Sequence, residues 1–101
     1  MANERMIVRV RVQGRVQGVG YRAFTQMEAI ARSVTGWVRN RRNGDVEAVF
    51  SGTVESVEAL CAICRRGPPS AFVQALEITA VDASALTEAG WQGGFQQLAT
   101  L

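Results

Sequence analysis

The chain has 101 residues, 48% of them hydrophobic and 20% charged, which suits one domain with a modest core and argues against disorder. Its net charge of +2 hides an asymmetry: nine arginines face two acids from Met1 to Asn43, and two arginines face seven acids from Gly44 to Leu101, so anion-facing chemistry is expected in the first half. Histidine is absent, which removes Ser-His-Asp and Cys-His nucleophile systems, phosphohistidine intermediates and the usual zinc sites.

Val8, Val10 and Val12 alternate with Arg9, Arg11 and Gln13, the period-two pattern of a strand with one buried face. The segment Gly14-Arg15-Val16-Gln17-Gly18-Val19-Gly20-Tyr21-Arg22 follows. Glycines permit a tight turn with successive N–H groups converging, a following helix adds its positive end, and arginine offers a planar fork matched to phosphate oxygens. The spacing describes an anion cradle, although alone it does not separate a cradle from an empty strand-to-helix turn.

Phe24, Met27, Ala31 and Val34 recur at helical spacing, with Gly36 read as the C-terminal glycine of the first helix. Trp37 to Asn40 reads as a second strand and Val46 to Phe50 as a third, joined through Asn43-Gly44 as a hairpin. Thr53 is placed to cap a second helix with Glu55 in its first turn. Val57, Leu60, Cys61 and Cys64 form its inner face, and Gly67-Pro68-Pro69 ends it. Val73, Leu76 and Ile78 suggest a fourth strand whose broken period predicts a bulge near Gln74 and Ala75. Residues 80–94 read as a long loop with a helical turn before a short last strand in Phe95 to Leu101; the role of that loop is not legible.

The order β-α-β-β-α-β predicts an α+β fold of ferredoxin-like type over residues 1–101 as one domain. Its sheet is antiparallel with two helices on one face, followed by a short C-terminal extra strand. Cys61 and Cys64 lie at i and i+3 on the apolar stripe, with no second pair to complete a metal site. They are read as core thiols of a protein in a reducing compartment. No apolar run nears the roughly 20 residues that span a bilayer, and the N-terminus lacks a signal-like stretch, so a cytoplasmic protein without membrane contact is expected.

Motif and architecture together resemble the acylphosphatase family. Gly14 to Arg22 is similar to its first signature, and Gly36-Trp37-Val38-Arg39-Asn40 followed by Asn43-Gly44-Asp45-Val46-Glu47 to its second. The resemblance extends to Gly67-Pro68-Pro69-Ser70-Ala71, while Phe72 stands where the family often has a basic residue. It implies hydrolysis of acyl phosphates to a carboxylate and inorganic phosphate without a metal or other cofactor. Carried onto this chain, Arg22 and the backbone N–H groups of Arg15, Val16, Gln17, Gly18, Val19, Gly20 and Tyr21 would bind the phosphoryl group, and Asn40 would hold the attacking water. The chemistry is self-consistent, because a carboxylate with a conjugate-acid pKa of about 4 departs without a proton donor.

Arg15, Arg39, Arg41 and Arg42 are expected to form a solvated basic rim, and Trp37 and Trp91 to pack rather than stack. The expected partner is a small acyl phosphate and the expected state a monomer. An RNA-binding sheet is disfavoured, since the polar positions of strands one and three offer no aromatic pair. The remaining alternative is a non-catalytic accessory domain that binds phosphate or carbamoyl phosphate.

Overall fold

The structure is a computed structural model and describes residues 4–101. The elements run β1 (Arg5–Arg15), α1 (Tyr21–Ala31), β2 (Thr35–Asn40), β3 (Val46–Thr53), α2 (Val54–Arg66), β4 (Phe72–Ala80), α3 (Ser84–Thr87) and β5 (Phe95–Gln97). They build one sheet in the order β4-β1-β3-β2-β5. The first four strands pair antiparallel as the βαββαβ order predicts, and β5 adds to β2 in parallel. The fold is the expected ferredoxin-like α+β arrangement. No described helix is long and apolar enough to cross a membrane.

On one face of the sheet Val8, Val10 and Val12 of β1 pack with Ala48 and Phe50 of β3 beneath α1 and α2. Full burial of each such valine contributes about 1.5–3 kcal/mol. Helix α2 follows its sequence closely. The Thr53 side chain accepts from Ser56 N at 3.2 Å, Val57, Leu60, Cys61 and Cys64 are buried, and Arg65 and Arg66 oppose the C-terminal dipole before Gly67. The bulge is also present: Gln13 pairs Ala75 and Gly14 pairs Val73, which leaves Gln74 as the extra residue.

Helix α1 departs from the expected stripe. It buries Tyr21, Thr25 and Ala29, whereas Met27 and Ile30 are 68% and 61% exposed. The helix carries apolar residues on more than one side, and the buried face is chosen by Tyr21, whose hydroxyl donates to Cys64 O at 2.6 Å on α2. Nor does Gly36 end this helix. Ser33 takes the left-handed turn at φ 57°, and Ser33 N and Val34 N donate to Ile30 O and Ala29 O. Gly36 instead lies inside β2 at φ 137°, where a Cβ would stand 1.9 Å from Val49 O, so no larger residue fits. The hairpin forms at Asn43-Gly44, but as a longer loop closed by Arg41 N donating to Asp45 O at 2.8 Å, with Gly44 at φ 100°.

The opposite face of the sheet is covered by residues that follow β4. Ala85 and Leu86 of α3 pack on Trp37 and Val49, with Val81, Trp91 and Leu98 at the margins. The Trp37 indole is fully buried and donates to Ala85 O and Leu86 O, both at 3.1 Å. This is the role of the segment of residues 80–94, which the sequence alone does not reveal. It closes the outer face and turns the chain back so that β5 can join β2.

Candidate active site

The chain leaves β1 at Arg15 and turns through Val16 to Gly20 before α1 begins. Val16 is buried and Val19 packs against the core, which pins the loop from inside. Gly18 at φ 74° and Gly20 at φ 79° make the left-handed steps that larger residues resist. Gly20 is the N-cap of α1 without a side-chain hydrogen bond, and the first turn holds no acid. The helix start therefore offers N–H groups and its dipole to an external anion.

A cavity of about 140 Å³ opens at this point, lined by Val16, Gly18, Gly20, Tyr21, Arg22, Ala23, Asn40 and Gln97. It falls well below the roughly 300–1,000 Å³ of pockets that enclose drug-sized ligands and has the size of a small group. Arg22 is partly buried in its wall. Five other arginines, at 9, 11, 32, 39 and 41, are held by carboxylates, whereas among the described residues Arg22 has no ion pair. Asn40 ends β2 opposite Val46, with its backbone oxygen accepting from Leu101 N at 3.1 Å. Its Oδ1 is buried and has no hydrogen-bond partner among the described residues.

Six of the nine residues singled out in the sequence thus line one cavity: Val16, Gly18, Gly20, Tyr21, Arg22 and Asn40. Arg15, Gln17 and Val19 do not. Arg15 is exposed at the end of β1 opposite Phe72, and Val19 faces the core. Gln17 reaches across to Arg41 O at 2.7 Å and Asp45 O at 2.8 Å. Ala23 and Gln97 were missed. Ala23 is the next residue of the helix, but nothing local marks Gln97, because its approach depends on β5 pairing with β2.

The expected basic rim is corrected at two positions. Arg39 is buried, its Nε donating to Glu47 Oε1 at 3.0 Å and its guanidinium lying 4.7 Å above the Trp37 ring. Arg41 donates to the same oxygen at 3.0 Å, and Arg9 donates to Glu47 Oε2 at 2.7 Å and also reaches Glu88. Burial alone would raise the Glu47 pKa, but hydrogen bonds from Arg39 and Arg9 outweigh it and hold the carboxyl below its ordinary range. These arginines are occupied by structure, whereas Arg15 and Arg42 are exposed. Cys61 and Cys64 are buried free thiols pushed up by burial to about 11 and about 12. Among the described residues no group of three His, Cys, Asp or Glu side chains is arranged to hold a metal ion.

The structure is a small α+β fold with a cavity at the start of α1. The family model for acylphosphatases matches residues 8–90. An acylphosphatase from Nitrobacter winogradskyi is 46% identical over 96 residues, covering 95% of this chain and 97% of its own. One from Bradyrhizobium diazoefficiens is 48% identical over 88 residues, covering 85% and 89%. The crystal structure of acylphosphatase from Bacillus subtilis superposes with a TM-score of 0.80 at 33% identity, over 92% of this chain and 98% of that one. The chain belongs to the acylphosphatase family and is an enzyme that hydrolyses acyl phosphates.

Proposed function

We propose that Arg22 and the backbone N–H groups of the loop residues that line the cavity, Val16, Gly18, Gly20 and Tyr21, grip the phosphoryl group of an acyl phosphate while Asn40 holds the attacking water, with no metal taking part. The observation that carries this reading is the pairing, in one small cavity, of an arginine and a buried amide oxygen that have no carboxylate or hydrogen-bond partner among the described residues. A buried acceptor without a donor costs about 1–3 kcal/mol unless something else donates to it, and a water bound there does so. The guanidinium and the N–H groups at the start of α1 stabilise charge on the equatorial phosphoryl oxygens. The amide oxygen fixes the nucleophile, and the departing carboxylate needs no acid.

One sheet joins β1 through β5, which supports reading the chain as a single domain, and a monomer is proposed with it. The two free thiols suit a reducing, cytoplasmic setting. The non-catalytic accessory-domain reading is not favoured, since named acylphosphatases match this chain across nearly their whole length.

The test is hydrolysis of benzoyl phosphate after exhaustive chelation. Turnover survives EDTA on this account. Loss of activity in EDTA that magnesium restores would contradict it.

A further inference from the structure

Gln97 lies on β5 level with Val38 of β2 and lines the cavity beside Arg22 and Asn40. Val38 and Asn40 are two residues apart on one strand and so point to the same side of the sheet, the side that Gln97 shares. A relay fixes the orientation of its amide. Phe95 O can only accept, so Gln26 turns its nitrogen towards it, Nε2 to O at 2.8 Å. Gln26 Oε1 then accepts from Gln97 Nε2 at 2.8 Å. Gln97 is left with Oε1, which has no hydrogen bond among the described residues. The cavity is therefore lined by Asn40, whose Oδ1 is buried without a partner among the described residues, and by Gln97, an exposed side chain on the neighbouring strand.

We propose that Gln97 is a further catalytic residue whose Oε1 accepts one hydrogen of the attacking water while Asn40 Oδ1 accepts the other, with Gln26 as the positioning residue that aims it. This rests on the reading of Asn40 given above. A water that donates both hydrogens to fixed acceptors has its lone pairs directed away from them, and one is free to meet phosphorus. In the step, the water oxygen forms the new P–O bond and the P–O bond to the acyl group breaks with its electron pair on the carboxylate. One water proton stays on the new hydroxyl and the other passes to a phosphoryl oxygen, so that a dianionic substrate gives a carboxylate and dihydrogen phosphate. Neither amide takes a proton.

The experiment measures kcat and KM for benzoyl phosphate, and inhibition by inorganic phosphate, in six proteins. These are wild type, Gln97→Leu, Gln26→Leu, Asn40→Ala and the doubles Asn40→Ala/Gln97→Leu and Gln26→Leu/Gln97→Leu. Gln97→Leu lowers kcat about tenfold, the scale of one neutral hydrogen bond, and leaves KM and phosphate inhibition within about twofold. Gln26→Leu lowers kcat less, and has no effect once Gln97 is Leu. The Asn40→Ala/Gln97→Leu double is within about twofold of Asn40→Ala, because groups that hold one water are not additive. Gln97→Met, similar in length and without an acceptor, repeats the result should the Leu variant fold poorly. Wild-type kcat in Gln97→Leu, or fully additive losses in the doubles, overturns the role of Gln97. Near-normal kcat in Asn40→Ala overturns the reading of Asn40 as well, so the two failures are distinct.

Discussion

The Gln17 side chain donates to the carbonyl oxygen of Arg41 at 2.7 Å, tying the loop before α1 to the residue that follows Asn40. A second bond from the same nitrogen reaches Asp45 O at 2.8 Å and closes the β2–β3 loop against the cradle. This one amide ties the two halves of the site together. Gln17→Ala removes the donor to both carbonyls, and should cost about 1–3 kcal/mol of stability by urea unfolding. Turnover of the folded fraction should drop about tenfold or more, because a slightly misplaced nucleophile forfeits orientation. A folded variant with wild-type turnover would remove Gln17 from the account.

Glu47 is a second point of leverage, away from the cavity. Its side chain is 5% exposed and receives three arginines. Glu47→Gln strands the buried Arg39 without a carboxylate, at a cost of about 3–5 kcal/mol. The pH dependence follows from the lowered folded-state pKa. The ion pairs stabilise the fold fully above the unfolded carboxylate value of about 4.3, and the stabilisation is lost as pH falls through the still lower folded value. Melting temperature against pH should therefore fall more steeply in acid for wild type than for Glu47→Gln. Parallel curves for the two proteins would show that the cluster carries no linked protonation.

Cys61 and Cys64 should be inert in the native state. Burial holds both thiols protonated at neutral pH, and the nucleophile is the thiolate. A thiol reagent at pH 7 should react with both only on unfolding, and the double change to Ala should leave kcat unaltered while costing on the order of a few kcal/mol. Fast labelling of the native protein, or a folded double variant without activity, would contradict this.

Much of this molecule is legible from short-range chemistry. The valine alternation of β1, the Thr53 cap, the inner face of α2 and the Asn43-Gly44 turn all depend on neighbours within a few residues, and each is present. The same local order brings Gly18, Gly20 and Arg22 to one cavity. What escaped reading is non-local. The buried face of α1 is decided by a bond from Tyr21 to α2, and the position of Gly36 by the closeness of Val49 O. Arg39 looks like solvated surface until Glu47 and Trp37 are brought against it. Gln97 enters the cavity only because residues 81–98 fold over Trp37 and return β5 beside β2.

Arg22 is assigned to charge. Arg22→Ala should lose phosphate binding and lower turnover about 10²–10³-fold, the range found when a single transition-state donor is removed. Arg22→Lys should recover little, since an ammonium lacks the planar fork. Inhibition by inorganic phosphate measured beside benzoyl phosphate kinetics checks both. A lysine variant with nearly normal turnover would reduce the role of Arg22 to a point charge.

The division of labour between Arg22 and Asn40 is tested most directly by Asn40→Ala, followed in one preparation by a phosphate titration of melting temperature and by steady-state kinetics. A ligand that binds the native state raises the melting temperature by mass action, so a binding site left intact remains visible when catalysis is gone. Phosphate-dependent stabilisation should stay close to that of wild type, with turnover lower by about a hundredfold or more. Near-normal turnover in Asn40→Ala, or loss of the phosphate response together with activity, would contradict this division of labour.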